Sequence, residues 1–183
     1  MQITDLRPDA AKQIQEAAEL LVEGFRPEAW PDIESALEEV RECLSPDRIV
    51  RLAIDADGAV LGWVGGTPHY GGRAWELHPL VVRPDHQGQG IGSALVADLE
   101  ARVGERGGVT LFLGTDDEHN LTTVSGVDLY PNVFEHLARI RNLNRHPYEF
   151  YQKQGFVIVG IIPDANGLGK PDILMAKRVT PAR

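Results

Sequence analysis

The sequence predicts an α/β fold of the α+β kind, with a mixed, mostly antiparallel central sheet and helices on both faces. Three observations carry this. Short apolar runs of strand length alternate with segments whose apolar residues recur every three or four positions. Two of the strand-like runs, IVRLAID and AVLGWVGG, flank Ala56-Asp57-Gly58, a hairpin turn signal. The element order, β-α-α-β-β-β-α-β-α-β-β, combines hairpin neighbours with helical crossovers. At 183 residues, without repeats, low-complexity segments or a linker, the chain is expected to form one domain over residues 1–183.

The elements follow in order. ITDLRP opens with a strand. Ile14, Ala18, Leu21 and Phe25 then share one helical face, and RPEAWPD, with two prolines, ends that helix. Ile33, Leu37, Val40 and Leu44 mark a second helix, stopped by Ser45-Pro46-Asp47. After the hairpin comes the strand WELHPLVV, then a glycine turn and a helix to about Glu105. GGVTLFLGTD has the character of a buried strand. TTVSGVDLYPNVFEHLARIRNL is expected to form a loop and helix, and HPYEFYQKQGF a short helix with Gly155 as its stop. FVIVGIIPD and KPDILMAKRV are the last two strands.

Composition excludes several function classes. The formal charge of −9 argues against nucleic acid as a partner and suits a cationic ligand. Charges at Asp5, Arg7, Asp9, Lys12, Glu16 and Glu19 rule out a signal-peptide core in the first turns of the sequence. No apolar run approaches the roughly 18 residues of a membrane span. A cytoplasmic protein with no membrane partner is expected. The single cysteine, Cys43, can form neither an internal disulfide nor a CxxC site, and packing is its expected role. The dispersed histidines have no zinc-type spacing, so no metal is expected.

HQGQGIG, residues 86–92, sets three glycines in five positions between a strand and a helix. Such a turn exposes backbone N–H groups at the positive end of a helix, where an anion can bind. It is not a P-loop, since no Lys-Ser/Thr follows, and its third glycine is misplaced for a dinucleotide fingerprint. It does fit Q/R-x-x-G-x-G/A, with Gln87, Gly90 and Gly92. Upstream, Pro79 removes a backbone donor from a strand that should be internal. Pairing there is therefore expected to be broken by a bulge or a splay.

In this context the loop resembles the pyrophosphate cradle of the Gcn5-related N-acetyltransferase (GNAT) superfamily, whose element order the whole chain matches. The resemblance implies the GNAT fold, with a splayed fourth and fifth strand pair that admits the pantetheine arm of acetyl-CoA. Cofactor contacts then fall to Leu80, Val81, Val82, Gln87, Gly88, Gln89, Gly90, Ile91 and Gly92. The N–H of Leu80 is placed to donate to the thioester carbonyl. Longer blocks narrow the family: AWELHPLVV (74–82), LGTDDE (113–118), HPYEFYQKQGF (146–156), IIPDANG (161–167) and KPDILMAKR (170–178). Together they resemble the aminoglycoside 6′-N-acetyltransferases of the enterococcal chromosomal type. That likeness implies acetyl transfer to an aminoglycoside amine by direct attack in a ternary complex, and a homodimer.

Acetyl transfer requires a neutral amine, a stabilised oxyanion and a proton for the departing thiolate. An aliphatic ammonium is almost wholly protonated at neutral pH, so a carboxylate must take its proton, directly or through water. Glu76 aligns with the family's candidate base; its other reading is a cross-strand ion pair. His78, two residues on, shares the Glu76 face of a regular strand and either relays a proton, fixes Glu76 or is structural. Tyr151 matches the tyrosine that approaches the coenzyme A sulfur. For a polycationic acceptor the candidates are Asp116 and Asp117 past the fifth strand, Glu28 with Trp30 between the first helices, Tyr70 on the opposite wall, and Glu76 itself. A polyamine, a metabolite amine or a protein lysine would use the same machinery, and a regulator that only binds acyl-CoA would keep the loop alone.

Overall fold

The computed structural model describes residues 1–25, Pro27 and residues 29–180. The chain divides into two compact units, one of Met1–Leu111 with the C-terminal residues from Val179, the other of Phe112–Arg178.

The first unit contains β1 (Gln2–Asp5), α1 (Ala11–Gly24), α2 (Ile33–Cys43), β2 (Ile49–Ile54), β3 (Val60–His69), β4 (Ala74–Val82) and α3 (Ile91–Glu105). Strands β1 to β4 lie side by side in sequence order, each antiparallel to the next. The β2–β3 turn forms where expected. Gly58 is left-handed at φ 82°, and Asp55 Oδ1 accepts the N–H groups of Asp57 and Ala59, each at 2.9 Å. Helix α2 starts at Asp32, whose Oδ1 caps the N–H of Ser35 at 2.9 Å and whose carboxyl pKa this bond lowers.

The core of this unit gathers Leu20 and Leu21 of α1, Ala36 and Val40 of α2, Leu52, Trp63 and Val81. Trp63 is fully enclosed, and its indole N–H donates to Ala17 O at 3.0 Å, which satisfies the one polar atom buried with the ring. The buried face of α2 is rotated from the expected one: Ala36, Val40 and Cys43 point inward, while Ile33 is 37% exposed. The small Ala36 lets the helix approach closely, and Ile33, at the first turn, has run past the edge of the core.

The second unit takes most of β5 (Thr110–Asp116), then α4 (Val133–Ala138), α5 (Tyr148–Lys153), β6 (Val157–Ile162) and β7 (Asp172–Arg178). Its strand order is β5-β7-β6, with β6 and β7 antiparallel. The stretch expected as loop and helix is mostly loop. It closes on an isolated bridge between Thr122 and Asn142, and its only α-helix among the described residues is the short α4, after a 3-10 turn at Tyr130–Asn132.

Candidate active site

The glycine turn adopts the geometry its composition calls for. Gly88 and Gly90 are left-handed, at φ 75° and 85°, and a Cβ on either would meet no protein atom within 4 Å. Gly90 is the N-cap of α3 and, lacking a side chain, leaves the N–H groups of the first turn uncapped. Ile91 is buried and anchors that turn. The two glutamines turn onto the loop itself. Gln87 Nε2 donates to Val82 O at 3.1 Å, and Gln89 Nε2 to Asp85 O at 3.4 Å. These amides brace the loop, and the open space beside backbone N–H groups is what an anion would fill. A pyrophosphate fits this donor set.

Strand β4 leads into the loop and carries the expected irregularity. Val64 pairs with Leu80 and Gly66 with Leu77, so His78 and Pro79 together face Gly65 alone. This is a bulge, formed where Pro79 has no N–H to give the ladder. Gly65 is required by it: a Cβ there would collide with His78 O and lie 3.3 Å from Pro79 Cδ. Gly65→Ala is accordingly expected to cost about 2 kcal/mol through overpacking, read as a lower urea midpoint with an unchanged m-value.

Beyond the bulge the backbone polarity is set by register. Arg83 N–H donates to Leu61 O at 2.8 Å, which makes Leu61 and Arg83 a hydrogen-bonded pair. Alternation then makes Val64–Leu80 and Gly62–Val82 non-bonded pairs, so the N–H groups of Leu80 and Val82 are directed away from β3. Val81, between them, turns its side chain into the core.

On the partly exposed face of β4, Glu76 and His78 have different partners. Glu76 Oε2 lies 3.0 Å from His69 Nε2, at the end of β3. His78 lies over α2 instead: its Nε2 is 4.0 Å from Glu39 Oε1, and its ring centroid is 6.2 Å from that of Trp30. The histidine in contact with Glu76 is thus His69, while His78 lies toward Glu39 and Trp30. Trp30 is buried, with Phe25 edge-on at 4.7 Å. Tyr70 is 82% exposed at the β3–β4 turn. Glu28 lies outside the described residues. Cys43 donates to Glu39 Oε1 at 3.4 Å; burial, then the Glu39 charge, push its thiol up to about 12, so it is no nucleophile.

In the second unit, Tyr151 is placed by the end of its own helix. Gly155, at φ 86°, allows Phe156 N–H to reach Tyr151 O at 3.1 Å and Gly155 N–H to reach Gln152 O at 2.9 Å. This double bond pattern is a Schellman stop, and its apolar contact is Phe156 edge-on to Tyr151 at 5.7 Å. Burial pushes the Tyr151 phenol up, so it keeps its proton at neutral pH and can only be a donor or acceptor of hydrogen bonds there.

The two aspartates after β5 have separate roles. Asp117 is wholly buried, and its carboxylate oxygens accept Leu121 N–H at 2.8 Å and Thr122 N–H at 2.7 Å. It organises the following loop and cannot face a cation, which corrects its expected place in substrate binding. Asp116 is exposed, with Asn166 Nδ2 on its Oδ1 and its carbonyl accepting His146 Nε2–H at 3.1 Å. His146 is buried, and its Nδ1 accepts Tyr148 N–H at 3.2 Å, so the ring is held neutral.

Burial lowers the His146 pKa from 6.5, outweighing the Asp116 carbonyl and the nearby carboxylates. The unfolded chain therefore binds more protons below about 6.5, and stability is lost as pH falls from there through the folded-state value. Urea midpoints measured from pH 7.5 to 5 are expected to decline through this window, and a ring-proton NMR titration should place His146 below 6.5.

Among the described residues, no group of three or more His, Cys, Asp or Glu side chains could hold a metal ion, and no helix is long and apolar enough to cross a membrane. Sequence reading missed His69, Glu39 and His146. Only for His146 was a signal present, in the HPYEFY block.

The acetyltransferase (GNAT) family profile matches residues 14–125. An aminoglycoside 6′-N-acetyltransferase crystallised with coenzyme A is 43% identical, covers 100% of this chain and 99% of its own, and superposes with a TM-score of 0.91. The aminoglycoside 6′-N-acetyltransferase from Enterococcus faecium is 43% identical over 100% and 99% of the two chains, with a TM-score of 0.89. An aminoglycoside 6′-acetyltransferase type Ii is 37% identical over 100% of both, with a TM-score of 0.77. No curated protein matches the chain significantly. With a glycine turn opening α3, a bulged β4 and this extent of likeness, the chain has the GNAT fold and belongs to the acetyltransferase (GNAT) family.

Proposed function

We propose that the protein transfers acetyl from acetyl-CoA to the 6′-amino group of an aminoglycoside, by direct attack in a ternary complex. The observation that carries this is the run from Glu76 to Gly90. It supplies a carboxylate, a Leu80 N–H directed away from β3, and an uncapped helix N-terminus in one continuous segment. The full-length likeness to 6′-N-acetyltransferases supports the choice of acceptor.

Acetyl-CoA, when bound, supplies the activated acyl group as a thioester. The chain supplies the rest. N–H groups at Gly88 to Gly92 donate hydrogen bonds to the pyrophosphate, and the upper backbone of β4, at Leu80 and Val82, pairs with the arm. Leu80 N–H stabilises charge growing on the acyl oxygen. Glu76 holds the ammonium and accepts its proton. Tyr151 donates toward the sulfur. For the cationic acceptor the candidates are Tyr70, Trp30 and His78 in the first unit, with Glu39 beside His78, and Asp116 in the second; Glu28 is a candidate by sequence alone.

The two units act as one acetyltransferase domain in this reading, which the family match supports by running across their boundary. We further infer a homodimer, which the resemblance to the enterococcal enzymes implies, and, from the composition, a cytoplasmic location.

Thiol release from acetyl-CoA tests the activity. A 6′-amino aminoglycoside is expected to turn over and its 6′-hydroxy counterpart not to. Turnover with spermidine or a lysine peptide alone would keep the chemistry and change the acceptor. Acetyl-CoA binding without turnover on any amine would indicate a regulator.

A further inference from the structure

The histidine beside Glu76 was not expected, and the sheet register explains how it comes to be there. Glu76 pairs directly with Thr67, and His69 pairs with Ala74. His69 is therefore two residues further along β3 on the same face, the diagonal neighbour that long side chains reach across two strands. Its Nε2 is 3.0 Å from Glu76 Oε2. A carboxylate only accepts, so Nε2 carries the proton and donates.

The hairpin closes directly after His69. Tyr70, Gly71 and Gly72 are successive left-handed residues, at φ 50°, 66° and 80°, which return the chain at once into β4. Trp75 Nε1 donates to Gly72 O at 2.9 Å, and the Arg106 guanidinium lies 5.5 Å above the Trp75 ring. Neither side chain of the pair is buried, with 41% of His69 and 36% of Glu76 exposed, so their contact adds little to stability. Its consequence lies in orientation.

We propose that His69 is a positioning residue for Glu76, holding Oε2 so that Oε1 remains turned to the acceptor amine. The inference rests on Glu76 being the base. A misplaced base slows the proton transfer without touching the pyrophosphate loop, so the effect falls on kcat and spares acetyl-CoA.

The test compares kcat, acetyl-CoA KM and thermal midpoints for wild type, His69→Ala, His69→Gln, Glu76→Gln and the His69→Ala/Glu76→Gln double variant. His69→Ala is expected to lower kcat about tenfold, with acetyl-CoA KM within about twofold of wild type and the thermal midpoint unmoved. His69→Gln should recover most of the loss, because its amide N–H reaches the position of Nε2. In the Glu76→Gln background His69→Ala should cost nothing further, since the group it positions is gone. An undiminished kcat in His69→Ala beside a depressed Glu76→Gln overturns the inference alone. So does an equal His69→Ala loss in both backgrounds, or a His69→Gln as slow as His69→Ala. An unchanged rate in Glu76→Gln removes the base itself, and this inference with it.

Discussion

Glu76→Gln is expected to lower kcat by about 10³-fold at neutral pH, while calorimetry finds acetyl-CoA bound as tightly as before. The amide is the same size, and its oxygen can still accept from His69 Nε2–H, so the β3–β4 face keeps its shape. What it loses is the ability to take a proton. The deficit should narrow as pH rises toward the amine's own pKa, about 10 for a lysine-like amine, because the acceptor then arrives neutral. A loss that is constant across pH would mean that Glu76 binds the cation without acting as base.

The second large effect concerns the loop. Gly90→Val is expected to weaken acetyl-CoA by about tenfold or more, since the space beside its Cα is the space an anion would occupy. The substitution also strains a left-handed residue, and that must be separated from binding. Gly107, at the far end of α3, offers the comparison. It is left-handed at φ 79°, and a Cβ there also meets nothing within 4 Å. Gly107→Val should lower the thermal midpoint to a similar extent and leave acetyl-CoA affinity alone. Equal affinity in Gly90→Val and wild type would refute the loop assignment.

The parts of the fold legible in the sequence are those that a single residue dictates. Gly58 and Asp55 set a turn, Gly155 stops α5 above Tyr151, and Pro79 forces a bulge because a missing N–H has only local remedies. What depends on register was not legible. The Glu76–His69 contact needs the pairing of Thr67 with Glu76, and that pairing depends on how three residues at 70–72 turn. Arg51, in the strand IVRLAID, is buried between Asp5 of β1 and Asp98 of α3. Charge in a buried position is tolerated only when paired, and sequence alone does not show the partners.

The residues proposed for the acceptor divide along the same line. Asp116 and Asp117 are adjacent and chemically identical, but alternation along the chain turns one outward and buries the other. Once buried, Asp117 must satisfy its oxygens, and the nearest donors are the backbone N–H groups of Leu121 and Thr122. Conversely, Glu39 reads as one more acid on a solvated helix face, yet α2 sets it between Cys43 and His78.

The most direct measurement is the position of the acetyl group in the product, by NMR, after incubation of the protein with acetyl-CoA and a kanamycin-type aminoglycoside. The account predicts a single new amide at the 6′-nitrogen and no product from the 6′-hydroxy analogue. Acetyl on a different nitrogen, or equal acetylation of the 6′-hydroxy compound, would contradict it.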